Sequence, residues 1–133
     1  MQNIHRFAAP ALIVAFALSA CAATKQQTPL SEARNIGLDQ PAYADGPVVK
    51  AVEVLEDSRC PEDVLCVHAG QLRLKMLWLR PGGREKAFEA TLGKRTPLAD
   101  GSILLEAVRP ARNSGRTIKP EDYRFDFRFD GGF

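Results

Sequence analysis

The sequence predicts an all-β domain: a small antiparallel β-sandwich, or a partly open barrel, of about six to seven short strands. Three observations carry this expectation. Tyr123, Phe125, Phe127 and Phe129 alternate strictly with Arg124, Asp126, Arg128 and Asp130, the pattern of a strand with one buried and one wet face. Clusters of Gly, Pro, Asn and Asp recur at short intervals between apolar runs, as they do in sandwiches. No window carries a helical stripe with caps at its ends.

The elements follow in chain order. A short strand is expected near residues 41–44 and a longer one over 48–55. Leu72, Leu74, Met76 and Trp78 share one face, with Arg73 and Lys75 opposite. Pro81-Gly82-Gly83 then breaks the run, and Phe88, Ala90 and Leu92 resume the alternation, which is a hairpin signal. A second turn falls at Ala99-Asp100-Gly101. The apolar stretch 103–108 is rich enough to be a central strand, and Asn113-Ser114-Gly115 makes a further loop. Residues 118–122 lead into the final strand, whose wet face alternates Arg and Asp so that like charges are kept apart. Trp78 and the phenylalanines read as core, since aromatics on the apolar face of a strand serve packing far more often than binding.

The chain has 133 residues, 45% hydrophobic and 26% charged, with a formal net charge of +2. That is the profile of an ordinary globular domain. The two signs are interleaved, so the basic stripe needed to grip nucleic acid is missing, as is the acidic bias of a disordered chain. The division expected is a leader over residues 1–20, a tether over 21–35 and one β-rich domain over 36–133.

The leader is read from three parts: a polar start with His5 and Arg6, an apolar run over 7–18, and small Ser19 and Ala20 before Cys21. The run is too short to cross a bilayer, which takes about 20 residues, and Pro10 interrupts it. Leu18-Ser19-Ala20-Cys21 resembles the bacterial lipobox. The resemblance implies cleavage before Cys21, a diacylglyceryl thioether on its sulfur and, in many bacteria, an acyl chain on its amine. Each buried methylene contributes roughly 0.8 kcal/mol to anchoring. Ala22 stands where an aspartate tends to retain such proteins in the inner membrane, so the expected address is the outer membrane, facing the periplasm. The polar segment 22–35 would act as a coil spanning roughly 20 Å.

With Cys21 taken by lipid, Cys60 and Cys66 remain, and a pair in an exported chain reads as a disulfide. Bridging requires Cα atoms within about 7 Å. Six helical steps would separate them by roughly 9 Å and six strand steps by roughly 20 Å, so the segment must fold back, and a single turn starting at Pro61 fits. Closing so short a loop contributes roughly 2.4 kcal/mol in the chain-entropy model. The rival reading is a metal site from Cys60, Cys66 and His68, but three ligands at this spacing match no zinc pattern.

Glu56-Asp57-Ser58-Arg59-Cys60-Pro61, then Cys66, then Ala69-Gly70, resembles a family of small uncharacterised bacterial lipoproteins with an EDSRCP…C…AG signature. The likeness extends across the domain, including the Pro81-Gly82-Gly83 hairpin and the segment 120–123. It implies a β-rich envelope domain with a disulfide and no settled activity. His68 departs from the family's usual tryptophan, which argues against an obligatory role for the imidazole.

No catalytic residue and no cofactor is assigned. Past the leader there is one histidine, His68, and no nucleophile elbow, zinc-protease motif or phosphate-binding loop. Glu56, Asp57, Glu62 and Asp63 read as turn and cap residues on a solvated loop. The expected function is therefore a non-enzymatic binding or accessory module, held to the membrane by its lipid anchor. It would meet another envelope protein, peptidoglycan or a small ligand through a contact loop of Glu56, Asp57, Arg59, Glu62, Asp63 and His68. The alternative is an inhibitor of secreted or periplasmic proteases, with Arg59 reaching into a trypsin-like pocket.

Overall fold

Apolar side chains at every second position pair strand with strand in the computed structural model, which describes residues 31–132. The leader, Cys21 and most of the tether lie outside the described residues. The strands are β1 (Ser31–Glu32), β2 (Pro41–Tyr43), β3 (Val48–Asp57), β4 (Leu72–Arg80), β5 (Arg84–Thr91), β6 (Arg95–Leu98), β7 (Gly101–Arg109) and β8 (Arg124–Gly131). They form two sheets, β1-β2-β3-β4-β5 and β6-β7-β8. Every pairing is antiparallel except that of the two-residue β1 with β2.

The sheets face each other in the manner of a sandwich. One contributes Val49, Ala51, Leu72, Leu74, Met76 and Ala90 to the core; the other contributes Leu98, Ile103, Leu105, Tyr123, Phe125 and Phe127. Trp78, Phe88 and Phe129 pack against this cluster as expected of core aromatics. Single bridges stitch the sheets at two corners, Leu92 to Leu105 and Ile36 to Phe125, without closing a barrel.

The strand expectations hold for 48–55, 72–78, 88–92, 103–108 and 123–130, with turns where glycine and proline signalled them. Pro81–Gly83 forms a single 3-10 turn in which Gly82 and Gly83 take positive φ. Two expectations are corrected. Residues 31–35, read as tether, belong to the fold: β1 pairs with β2, Ala33 is buried, and Ala33 accepts a hydrogen bond from the Phe127 amide.

The second correction concerns the wet face of β8. Asp126 is buried on it, because the segment 33–36 and Arg109 cover that position. Arg109 grips the carboxylate with two nitrogens and the Asn35 amide donates to it at 2.8 Å. The Arg109 hydrogen bonds hold the Asp126 carboxyl below the usual aspartate range against the opposing effect of burial, and the Asn35 amide adds to them.

Two irregularities in β3 decide which of its side chains face the core. The register with β4 shifts between Ala51 and Glu53 and again between Val54 and Glu56. Each bulge resets which side chains face inward. The inward set is therefore Val49, Ala51, Val54 and Asp57, opposite Trp78, Met76, Leu74 and Leu72. Glu53 and Glu56 fall on the outer face, opposite Lys75 and Arg73. An aspartate is thus delivered to the core-facing end of β3, where the cysteine loop begins.

Candidate functional site

The loop from Ser58 to Gln71 joins β3 to β4 and contains the only disulfide among the described residues. Cys60 and Cys66 are bonded, with Cα atoms 5.9 Å apart. A turn between them, closed by the Val64 amide on the Pro61 carbonyl, folds the chain back as the geometry requires. The thiolates needed for a metal site are consumed by this bond. Among the described residues no three His, Cys, Asp or Glu side chains are grouped to hold an ion.

At its base the loop is braced by buried and half-buried polar side chains. Asp57 accepts both arms of the Arg59 guanidinium at 2.8 Å and the Tyr123 hydroxyl at 2.9 Å. Arg59 also donates to the Val108 and Pro110 carbonyls, tying the loop to the end of β7 and to the cis Arg109–Pro110 bond. Only 9% of the Asp57 side chain and 14% of the Arg59 side chain are exposed. Burial pushes the Asp57 carboxyl up, but the Arg59 and Tyr123 hydrogen bonds outweigh it and hold the group below the usual range. Burial, reinforced by donation to Asp57, pushes the Tyr123 hydroxyl up to about 12.

The rest of the base is built the same way. Glu56 accepts from Arg73, Ser58 and Gln71, which closes the neck of the loop and holds its carboxyl low. The Ser58 amide donates to the Gln71 carbonyl, and the Cys60 amide donates to the Ala69 carbonyl. Gly70 is required here: its φ is +66°, and a Cβ would lie 1.7 Å from the Ser58 carbonyl oxygen.

A second loop, 109–118, supports the ring from the side. Arg112 donates to the Arg59 carbonyl at 2.6 Å, and the Glu62 amide donates to the Arg112 carbonyl. Asp63 accepts from both the hydroxyl and the backbone amide of Ser114, which holds its carboxyl below the ordinary range.

The tip is the reverse of the base. Leu65 and Val67 are as accessible as in an extended chain, at 104% and 95%, and Val64 is also exposed. Three apolar side chains within four residues stand in water on a cross-linked, hydrogen-bonded frame. An isolated exposed leucine means little, but these three lie within four residues of one another.

Of the six residues expected to make the contact loop, Asp57 and Arg59 point inward, and Glu56 and Asp63 are spent on internal hydrogen bonds. They build the loop and do not present it. Arg59 in particular cannot enter a protease pocket, because its guanidinium is bound to Asp57 and two carbonyls. Glu62 and His68 remain exposed on it. The exposed apolar residues Val64, Leu65 and Val67 are not among those six. For Val64 and Leu65 the signal was present: a seven-residue ring closed on itself has no core in which to hide them.

Comparison of the chain with family models, with curated proteins and with solved structures finds no match in any of the three.

Proposed function

We propose that this protein is a lipid-anchored envelope module that works by binding, without catalysis, and that the apolar tip of its cysteine loop is the surface it offers. One observation carries the reading: Leu65 and Val67 are wholly exposed on a loop whose base is locked by a disulfide, a buried ion pair and a network of hydrogen bonds. Holding a loop in one shape before binding removes an ordering cost that a mobile loop would incur on association. Covering Leu65 and Val67 would remove their apolar surface from water, which favours association.

The proposed anchor leaves the tip free to meet something other than its own membrane. Ser31 aligns through β2 and β3 with Trp78, six residues along β4 from Leu72, where the loop ends. That offset is about 20 Å along the sheet. The lipobox and the apolar leader support the envelope address, and the disulfide fits an oxidising compartment.

A photo-reactive amino acid at position 65, expressed in the native membrane, tests this. Discrete adducts are expected from position 65 and not from position 85, on the exposed hairpin at the far end of β4 and β5. Equal labelling from both positions, or none from either, would overturn the reading.

A further inference from the structure

Beside the cysteine ring lies a cleft of about 340 Å3 lined by Arg112, Ser114, Arg116, Thr117, Ile118 and Tyr123, with Asp57 at its inner wall. We infer that this cleft takes a carboxylate, so that the occupant of the docking surface is an acidic peptide segment of a partner protein; the inference rests on the docking role proposed above for the tip.

Charge within the cleft decides the sign of its ligand. Asp57 is the one acid of the lining, and it is already satisfied by the fork of Arg59 and by the Tyr123 hydroxyl. Arg112 and Arg116 then outnumber the one other carboxylate at the cleft, that of Asp63 on Ser114, so an excess of positive charge remains. Arg112 spends one nitrogen on the Arg59 carbonyl, and its other donors are available. The Arg116 side chain makes no hydrogen bond and no ion pair among the described residues, although it lines the cleft. A guanidinium with open donors in a cleft that a second guanidinium also lines is suited to capture of a carboxylate.

The same loop already holds one carboxylate: Ser114 binds that of Asp63 through its amide and its hydroxyl. Ring and cleft are therefore parts of one unit, joined at Arg112 and Ser114. An extended peptide could set an apolar residue on Leu65 and Val67 and an acidic residue against Arg112 and Arg116. The loop stands about 20 Å along the sheet from Ser31, where the tether enters, and that favours a peptide over the protein's own bilayer.

The test uses the full chain in lipid nanodiscs, observed by amide NMR while acetyl-Leu-Gly-Glu-Gly-amide is added, with the glutamine peptide as control. Expected are shifts in residues 64–67 and 112–118, with binding about fivefold or more tighter for the glutamate peptide. Arg116→Gln, which breaks no internal contact, should remove that preference, and Arg112→Gln should do so if it folds. Equal binding of the two peptides, or shifts at the tip alone, overturns the carboxylate assignment and leaves docking standing. Broadening of the Leu65 and Val67 amides by a spin-labelled lipid assigns the tip to the bilayer and overturns it as well. No shift with either peptide overturns the inference, while adducts from position 65 would still support docking.

Discussion

The base and the tip of the cysteine loop lie within ten residues of each other and invert the usual rule of burial. At the base, polar Asp57 and Arg59 are turned inward and fully engaged. At the tip, apolar Leu65 and Val67 stand in water. The difference teaches how a short irregular segment is made rigid. It has too few side chains to form a core, so charge-assisted hydrogen bonds and a cross-link replace hydrophobic burial at the base. The apolar residues that the ring cannot cover are then left over at the tip, where a partner can use them.

The largest effect should come from breaking the base. Asp57→Ala leaves Arg59 buried without its counter-charge, and about 3 kcal/mol of stability should be lost in urea unfolding. Titration probes the same group without mutation. The folded protein holds the Asp57 and Asp126 carboxyls low, so their contribution is complete above the unfolded value near 3.9. It is lost as pH falls through the depressed folded values. Tyr123 works at the opposite end: its pKa is raised to about 12, so stability should fall as pH rises from about 10 towards that value. A stability curve flat from about pH 2 to about pH 12 would contradict both assignments.

Gly70→Ala comes next. It meets the Ser58 carbonyl and a left-handed backbone at once, and a loss of about 2–3 kcal/mol is expected, measured by the same unfolding curves. Replacing both Cys60 and Cys66 by serine removes the cross-link and should cost about 2.4 kcal/mol, with the sheets intact by circular dichroism. The smallest effect belongs to the tip. Leu65→Ser with Val67→Ser should change stability by no more than about 0.5 kcal/mol while abolishing the position-specific adducts of the docking test. A tip variant that unfolds the domain would erase the contrast between the two regions.

Much of the fold was legible along the chain. The alternation of Tyr123 to Asp130 and the glycine and proline turns are local signals, and the strands stand where they point. The disulfide followed from the pairing of two cysteines in a chain read as exported, and chain geometry required the segment between them to fold back. Less legible was the site. A strict period of two across β3 would bury Glu53 and Leu55, whereas two bulges turn Glu53 outward and bring Val54 inward. Nothing local reveals that Asp126 is covered, because the covering residues, Asn35 and Arg109, are distant in sequence.

The sequence by itself determined the strand pattern, the turns and the ring, since each depends on residues within a few positions of one another. Only the tertiary structure decided that Glu56, Asp57, Arg59 and Asp63 serve as braces while Val64, Leu65 and Val67 face solvent. That outcome depends on Tyr123, Val108, Arg112 and Ser114, which lie 49 to 66 residues away and supply the partners that consume the polar groups. Whether a charge is exposed is a property of what folds against it, and that information is not local.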